Sequence, residues 1–420
     1  MLDIKFVMEN PDAVKKDLRK RQDKEKLPWV DEVVEKFSKW KSLREEVDRL
    51  RHSRNVITRE INELKKQGKS ITAKVKEAKD LPKKIADGEK KLDELHERVQ
   101  YVMMRLPNVL HESVPVGKDD TENKEVKKWG KPKKFSFKLK AHGELLEERG
   151  LADFEKAAEV SGTGFHFIKG DLVLMEQALI DLALKSLVKK GYTPVSPPLI
   201  MRRKPYEGVT DLSDFEKVMY KIDGEDSYLI ATSEHPIGAM MMNEVVEKLP
   251  LRFTGLSSCF RKEIGSHGID TRGLFRVHQF NKVEQFIFCK PSDSWKLHEE
   301  LMKNAEELMQ KLKIPYRVVD ICTGDIGIVA AKKCDIEAWF PRQDAYKEVV
   351  SCSNCTSYQA VRLNIKYIND KGEKEYLHTL NSTAIATGRT MAAIVENYQN
   401  EDGSITVPDV LQPYVGKKRI

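Results

Sequence analysis

The sequence predicts an α+β protein with an N-terminal antiparallel helical hairpin and a larger C-terminal domain that contains antiparallel strands. Apolar residues recur at spacings of three and four in two neighbouring segments, which is typical of paired helices. Further along, β-rich segments at 258–265 and 274–288 flank a glycine-containing loop, which favours antiparallel pairing. The 420 residues allow two or three domains at about 100–200 residues each.

The composition is that of a folded protein that does not cross a membrane. Apolar residues make up 40% of the chain, which is enough for a real core. The first residues lack the apolar segment of a signal peptide, and no uncharged apolar run reaches the roughly 18 residues that span a bilayer. The six cysteines are too sparse for a disulfide scaffold. We therefore expect a cytoplasmic protein with free thiols and no membrane partner.

The N-terminal domain, residues 1–112, is predicted to carry the helical hairpin at about 30–107. Apolar residues repeat over 33–64, a polar turn containing Gly68 follows, and the repeat resumes over 71–106. Two heptad-like segments joined by a short turn are typical of an antiparallel coiled coil. Each helix of about 35 residues would extend on the order of 50 Å at ~1.5 Å per residue.

Most of the chain's net charge of +7 lies on this hairpin. Residues 33–98 contain 19 Lys or Arg against 13 Asp or Glu, a net of +6, so the remainder contributes +1. A charged surface is usual for a solvated coiled coil, and dimerisation or scaffolding would also suit such an arm. An accessible basic surface is, however, also what nucleic-acid phosphates require.

A linker and a domain of roughly 290 residues follow the hairpin. Residues 113–134 mix Pro, Gly and charge without a period, which predicts the linker, and residues 135–420 form the domain. Within it, residues 171–190 predict an amphipathic helix whose apolar side consists of Leu172, Met175, Leu179, Leu182 and Leu187. The extended stretch 193–200 follows, and its two adjacent prolines place it at a sheet edge or an interface.

The two β-rich segments present an uncommon set of side chains. Because alternate residues of a strand share a face, one sheet face would present Arg261 and Glu263 from the first segment. The second segment would add Arg276, His278, Phe280, Lys282 and Glu284 to that face. A solvated polar face is the ordinary explanation. Arginines, however, bind phosphates, an aromatic ring stacks on a base, and carboxylates hold an ammonium group or a metal. The combination favours a face that binds a ligand.

This set of residues resembles motif 2 of the class II aminoacyl-tRNA synthetases in its seryl form. Residues 232–234 (Thr-Ser-Glu) are similar to the serine-specific element, and 347–362 resemble the E-x-x-S-C-S-N-C…QA-x-R block. Residues 378–390 resemble motif 3, and 396–414 resemble the seryl C-terminus. The helix and strand at 171–200 resemble motif 1, the dimer-interface element, and the hairpin resembles the tRNA-binding arm. These motifs cover nearly the whole chain in the expected order.

The resemblance implies a fold, an activity and an assembly. The fold is a class II synthetase domain built on a mostly antiparallel β-sheet flanked by helices. The activity is that of an ATP-dependent ligase, in which serine and ATP form seryl-adenylate and serine passes to the 3′ end of tRNA(Ser), with tRNA(Sec) as a further candidate. ATP and Mg²⁺ are the implied cofactors, and a homodimer is the implied assembly. Catalysis would consist of positioning and charge neutralisation at the α-phosphate.

The resemblance also implies roles for individual residues. The implied catalytic residues are Arg261, Arg276, Arg389 and Glu348. The implied serine site consists of Thr232, Ser233, Glu234, Arg261, Glu284, Asn381 and Thr383. The implied ATP site consists of Arg261, Lys262, Glu263, Arg276, Val277, Phe280, Glu348, Val349, Val350, Ser351 and Arg389. Magnesium is implied at Glu348 and Ser351, and tRNA at Arg54, Lys65, Lys66, Lys69 and Lys74.

Specific contacts are expected within this set. The resemblance implies that Arg261 grips the α-phosphate and that Phe280 stacks on adenine, with Arg389 packing from the other side. Glu234 and Glu284 suit the hydroxyl and ammonium groups of serine. A site whose buried polar groups pair with the substrate hydroxyl rejects alanine, because those groups would be left unpaired.

Departures from the family pattern indicate an archaeal or eukaryotic form without zinc. Residues 382–384 (Ser-Thr-Ala) stand where Gly-Ser-Gly is common, although Thr383 keeps a hydroxyl. The Thr-Ser-Glu element continues as Glu-His-Pro-Ile over 234–237, which resembles archaeal or eukaryotic members. Cys352 and Cys355 form a lone C-x-x-C, and buried thiols are the favoured explanation because a structural zinc site needs a second pair.

Two further classes of protein match parts of this pattern. A synthetase-like paralogue that loads an amino acid onto a carrier protein would share the catalytic motifs, but such relatives commonly lose the arm that this chain keeps. An RNA-binding coiled-coil protein with an inactive catalytic domain would share the hairpin. The presence of all four implied catalytic residues counts against that class, so the sequence favours an active ligase.

Overall fold

The structure, a computed structural model, describes residues 1–211, 216–263 and 273–420. The chain divides into two compact units, Leu2–Pro107 and Asn108–Ile420, the second of which includes Met1. No helix in the described ranges is long and apolar enough to cross a membrane. The predicted loop between the two β-rich segments lies almost entirely at 264–272, outside the described residues.

The N-terminal unit is helical, as predicted. Its helices span Ile4–Glu9, Pro11–Lys20, Leu27–Lys66, Thr72–Ala78 and Leu81–Met103. The long helices bury apolar residues at helical spacing, among them Val33, Val47, Ile57, Ile85 and Val99. A Cβ on Gly88 would come within 2.6 Å of Val47 Cγ2, so a glycine at this point lets the two helices pack closely.

The second half of the predicted hairpin is interrupted, which corrects the prediction of one continuous helix. The short helix ends at Ala78, and the next begins at Leu81 with Pro82 in its first turn. In a continuous helix the ring of Pro82 would clash with the carbonyl of Ala78, so the break falls where proline requires it. Val75, predicted to face the partner helix, is 48% exposed.

The C-terminal unit is built on a large, mostly antiparallel sheet, as predicted. Its strands in chain order are β1 Lys124–Trp129, β2 Ala152–Asp153, β3 Phe167–Ile168, β4 Thr193–Val195, β5 Ile200–Arg202, β6 Ser227–Leu229, β7 Val245–Val246, β8 Leu251–Phe260, β9 Gln279–Cys289, β10 Tyr316–Asp320, β11 Lys332–Phe340, β12 Ala345–Asn354, β13 Lys366–Ile368, β14 Lys374–Tyr376 and β15 His378–Ala386. Eight of them form one sheet in the order β1-β10-β11-β12-β15-β9-β8-β4. Only the β4–β8 pair in it is parallel.

Helices cover this sheet and complete the core. They span His142–Glu148, Phe154–Ser161, Asp171–Val188, Arg203–Val209, Glu234–Ala239, Ser294–Lys311, Tyr358–Leu363, Thr387–Tyr398 and Gln412–Val415. The apolar side predicted for the helix at 171–190 is buried at all five positions. It packs with Leu301 and Met391, from two further helices, into the main apolar cluster. The core therefore lies between the sheet and these three helices.

The two edges of the large sheet differ in how well the sequence predicts them. Edge strand β4 begins the stretch whose prolines predicted an edge. The opposite edge, β1, lies inside the predicted linker at 113–134 and pairs with β10. Its first five residues are exposed and mostly charged, so it lacks the apolar face by which a strand is recognised. Lysines on an exposed edge discourage pairing with another chain.

Candidate active site

A cavity of about 480 Å³ lies against the large sheet and contains most of the predicted serine and ATP residues. Strand β9 contributes Phe280, Lys282 and Glu284, which alternate along it as predicted. Strand β15 contributes Asn381 and Thr383. The remaining predicted residues in the cavity wall are Thr232, Glu234, Arg261, Glu348, Val349, Ser351 and Arg389.

A β-bulge explains how Glu348 and Ser351 share the cavity wall. Residues three apart on a regular strand point to opposite faces. In β12, however, Val350 pairs with Ile336 and Glu348 pairs with Glu337, so one additional residue is accommodated between them. A bulge of this kind re-aims side chains. The two oxygen-bearing residues therefore reach the same side of the sheet.

Glu234 lies at the start of its helix and is held by two amide side chains. Its Oε1 accepts hydrogen bonds from Asn381 Nδ2 at 3.1 Å and from Gln359 Nε2 at 3.2 Å. Burial, and after it the nearby carboxylate of Glu284, raises the pKa of Glu234 to about 7. This carboxyl is therefore readily converted between its neutral and charged forms near neutral pH.

Glu284 forms an ion pair with Lys282 inside the cavity. The Lys282 Nζ to Glu284 Oε2 distance is 2.7 Å, and both residues are buried. Burial raises the pKa of Glu284, although Lys282 opposes the rise. Close by, His235 Nδ1 lies 2.9 Å from the Tyr206 hydroxyl, and burial lowers the pKa of that imidazole to about 3. His235 is therefore neutral, in keeping with a structural role.

Arg389 and Glu348 form a polar wall of the cavity. Arg389 Nη1 donates to the Glu348 carbonyl at 3.1 Å and lies 3.3 Å from Glu348 Oε1. Burial alone would raise the pKa of Glu348, but Arg389, Lys333 and Arg261 outweigh it and hold the pKa below its ordinary value. Lys333 in turn lies 3.3 Å from Asp335 Oδ2. The wall thus carries an ionised carboxylate among several cations.

A small recess of about 20 Å³ adjoins this wall and contains three further predicted ATP residues. It is lined by Glu263, Arg276 and Val277 and shares Arg261, Phe280 and Arg389 with the main cavity. The Arg261 guanidinium lies over the Phe280 ring, 5.2 Å from its centroid. The Arg389 guanidinium lies over Phe275 at 5.0 Å rather than over Phe280.

Gly388 is required by the backbone at this recess. A Cβ at this position would lie 2.6 Å from the carbonyl oxygen of Leu274. That oxygen belongs to the backbone and cannot rotate away as a side chain would. The glycine before Arg389 therefore allows the helix that carries this arginine to approach the segment next to β9.

Three of the predicted serine and ATP residues line neither the cavity nor the recess. Ser233 is fully buried and its hydroxyl donates to the Gly255 carbonyl at 3.3 Å. Val350 is buried in the main apolar cluster. The Lys262 ammonium lies 5.7 Å from the centre of the Tyr220 ring. His278 also leaves the predicted shared face, because β9 begins only at the next residue.

Three further residues have polar side chains at the site that the sequence did not assign to it. Lys282 was visible in the alternation along its strand, because it lies between two residues that were assigned. Gln359 lies in a motif that was noticed, but its contact with Glu234 depends on packing between two helices. Lys333 had no local signal, since its position beside Glu348 depends on the pairing of β11 with β12.

The residues implied for magnesium offer oxygen donors of the right chemistry. Glu348 and Ser351 share the cavity wall, and hard oxygen ligands suit Mg²⁺, which usually keeps waters and substrate oxygens as well. Within the described ranges, no group of three or more His, Cys, Asp or Glu residues is arranged to hold a metal. Cys352 and Cys355 are buried free thiols, as predicted.

The residues predicted to bind tRNA lie around the polar turn of the N-terminal unit. Four of them, Arg54, Lys65, Lys66 and Lys69, have exposed side chains. Lys74 differs, because its ammonium lies 2.8 Å from Glu60 Oε2 and 2.9 Å from Glu77 Oε2. These exposed cations are therefore grouped at one end of the hairpin.

Comparison with known proteins agrees with this fold and identifies the family. Residues 217–398 match the tRNA synthetase class II core domain (G, H, P, S and T), which defines the class of the catalytic unit. Residues 1–110 match the seryl-tRNA synthetase N-terminal domain. The chain belongs to the seryl-tRNA synthetase family.

Individual relatives match over essentially the full length. A serine–tRNA ligase of Methanocella arvoryzae is 61% identical over 419 residues, which are 99% of each chain. The crystal structure of seryl-tRNA synthetase from Pyrococcus horikoshii complexed with ATP is 48% identical, with a TM-score of 0.93 and coverage of 100% of this chain and 99% of that one. Cytoplasmic serine–tRNA ligase from Naegleria fowleri in complex with AMP is 35% identical, with a TM-score of 0.88 and coverage of 100% and 98%.

Proposed function

We propose that this protein is an active serine–tRNA ligase that makes seryl-adenylate in the cavity described above. The observation that carries the proposal is one cavity that joins a carboxylate and amide part, around Glu234 and Glu284, to an arginine and aromatic part, around Arg261 and Phe280. The relatives that match the chain are serine–tRNA ligases and include the hairpin. This disfavours both the carrier-protein paralogue and the inactive RNA-binding protein.

Serine recognition is assigned to the carboxylate and amide part. Glu234 and Glu284 would hold the ammonium and hydroxyl groups, while Thr383 presents a hydroxyl from β15. Gln359 and Lys282 position these carboxylates through the contacts described above. Alanine would leave such buried polar groups unpaired, so the site discriminates by the missing hydroxyl.

ATP recognition is assigned to the arginine and aromatic part. Phe280 would stack on adenine, and Arg261, Arg276 and Arg389 would neutralise the phosphates. A serine carboxylate oxygen then attacks the α-phosphorus and pyrophosphate leaves. In the second step the terminal tRNA hydroxyl attacks the seryl carbonyl carbon and AMP leaves. Glu348 and Ser351 would hold Mg²⁺, whose chemistry is to offset the charge of the phosphate oxygens.

The hairpin and the motif 1 helix are assigned to the remaining partners, which are tRNA and a second copy of this chain. The exposed cations of the hairpin would contact the phosphate backbone of tRNA(Ser), and tRNA(Sec) is a further candidate. Several apolar residues of the motif 1 helix and of the stretch after it are exposed, which suits the interface of a homodimer: Val173, Leu174, Val188, Leu199 and Ile200. The free thiols suit a cytoplasmic location.

Serine-dependent exchange of pyrophosphate into ATP tests the first step without tRNA. Arg261→Ala and Glu284→Ala should abolish exchange, because each removes a charge that the cavity places on the substrates. Arg419→Ala is the matched control. The side chain of Arg419 is 63% exposed, and its ion pair with the equally exposed Asp402 is long, at 3.8 Å, so its removal should have little effect. A folded wild-type protein without exchange, or full exchange in either variant, would refute the assignment.

A further inference from the structure

A second basic surface lies on the C-terminal unit, outside the cavity. Residues 132–139 and 339–345 enclose an open groove of about 1060 Å³, which we call the basic groove. Residues 339–345 include the turn that joins β11 to β12. Neighbouring residues of a strand point to opposite faces, so Trp339 lines the groove while Phe340 is buried on the other side.

The basic groove carries lysines that form no ion pair with any described residue, although the Lys133 ammonium lies over the Phe135 ring, 4.8 Å from its centroid. Residues 126–143 contain seven lysines and no acidic residue. Three of these lysines are paired, with Glu306, Glu125 and Glu148. The other four have exposed side chains and no ion pair with any described residue: Lys131, Lys133, Lys134 and Lys138. Arg342 adds a further exposed cation to the rim, and Asp344 is the single acidic residue in the lining.

The wall of the basic groove is aromatic and contains a hydrogen-bond donor that has no acceptor among the described residues. Phe135 and Phe137 pack edge to face with centroids 5.5 Å apart, and Trp339 packs against Tyr346 at 4.9 Å. The Trp339 Nε1 is buried and has no hydrogen-bond partner among the described residues. A buried N–H without an acceptor is costly, so a ligand oxygen at this point would be favourable.

The backbone of the basic groove is held in place without a ligand. The Lys140 amide donates to Gln399 Oε1 at 2.9 Å, and Gln399 Nε2 donates back to the Lys140 carbonyl at 3.1 Å. On the other wall, Asn397 Nδ2 donates to the Trp339 carbonyl at 2.8 Å. The free lysines therefore extend from a fixed support, which lowers the ordering cost of binding.

We propose that the basic groove binds the phosphate backbone of the tRNA substrate close to its acceptor end. This inference rests on the proposed function. Unpaired cations spaced along an extended segment match phosphates, and the aromatic wall offers stacking to a ribose or a base. Phe340, behind the groove, packs on Phe275 at 5.3 Å, and Arg389 of the cavity lies over that same ring. The β11–β12 turn that lines the groove therefore connects through these rings to the cavity, which is where the tRNA 3′ end must react.

The test compares two triple variants of the full-length protein. The groove variant combines Lys133→Ala, Lys134→Ala and Lys138→Ala. The control variant removes three exposed lysines elsewhere on the same unit, namely Lys248→Ala, Lys371→Ala and Lys374→Ala. A tRNA(Ser) transcript is the probe, and its dissociation constant is measured from about 50 to 200 mM salt, where phosphate contacts dominate.

The groove variant should weaken tRNA binding by roughly ten- to a hundred-fold and reduce the slope of log Kd against log salt by about 2–3. Serine-dependent pyrophosphate exchange should stay at the wild-type level, since the groove lies outside the cavity. An unchanged salt slope in the groove variant, or an equal loss in the control variant, would overturn the proposal. A wild-type protein that binds tRNA but lacks exchange would instead contradict the proposed ligase activity.

Discussion

Glu234→Gln is the substitution whose consequence the structure specifies most fully. The pKa of this carboxyl rises from 4.5 to about 7 on folding, chiefly because it is buried. The native state therefore binds the proton more tightly than the unfolded chain does. The resulting stability is complete below pH 4.5 and is lost as the pH rises through 7. Glutamine resembles the protonated carboxyl, keeps an oxygen for both amide donors and does not titrate.

The size of the effect follows from the shift. A difference of about 2.5 pKa units corresponds to about 3.5 kcal/mol at roughly 1.4 kcal/mol per unit. This is an upper value because solvent screening reduces it, and part of it already falls below pH 5. Glu234→Gln should therefore gain up to about 3 kcal/mol relative to the wild type between pH 5 and pH 8. Denaturant-dependent hydrogen exchange in β9 and β15 measures the stability of this unit apart from the hairpin.

Glu300→Gln is a control in which the stability should depend on pH in the opposite direction. This carboxylate accepts hydrogen bonds from Arg252 at 2.9 and 3.1 Å. Although burial raises its pKa, Arg252 and Tyr192 bring the net shift below the ordinary value. Its stabilisation is present at neutral pH and is lost as the pH falls. Glu300→Gln should thus lose stability at pH 8, and this loss should shrink as the pH falls below 4.5 through the lowered folded-state pKa. A Glu234→Gln difference that stays constant from pH 5 to 8 would refute the reasoning.

Two further predictions concern the hairpin and motif 3. The triple variant Lys65→Ala, Lys66→Ala and Lys69→Ala should weaken tRNA charging and reduce its salt dependence while sparing pyrophosphate exchange; equal loss of both steps would contradict the separate roles of the two units. Gly388→Ala should destabilise the catalytic unit by about 1–3 kcal/mol and reduce pyrophosphate exchange, because its Cβ would lie 2.6 Å from the Leu274 carbonyl oxygen. Unchanged thermal unfolding and unchanged exchange would contradict this and show that the backbone can move to accept the methyl group.

Local patterns were sufficient where a residue's position depends only on its own element. The alternation of Phe280, Lys282 and Glu284 is correct because they lie on one regular strand. The apolar side of the helix at 171–190 is likewise correct. Pro82 could have predicted the helix break from proline chemistry alone, but the surrounding heptad pattern concealed it.

Other features depend on contacts that no local pattern contains. Glu348 and Ser351 reach one wall only through a bulge, and a bulge is defined by the partner strand. Ser233 lies next to two cavity residues, yet its hydroxyl is directed to the Gly255 carbonyl. β1 is stabilised by its pairing with β10 rather than by its own composition, so residues 124–129 resembled a linker.

In the proposed function, strand β9 sets the spacing between the residues assigned to adenine and to serine. Phe280 and Glu284 are four residues apart, which is about 13 Å at roughly 3.3 Å per residue. Hydrogen bonds to β8 and β15 on either side prevent this segment from stretching or shortening. The distance between Phe280 and Glu284 is therefore fixed by the sheet. An insertion of one residue between Phe280 and Glu284 would turn one of these side chains to the opposite face of the sheet. The number of residues between them is therefore fixed, whereas the loops of this protein can vary in length.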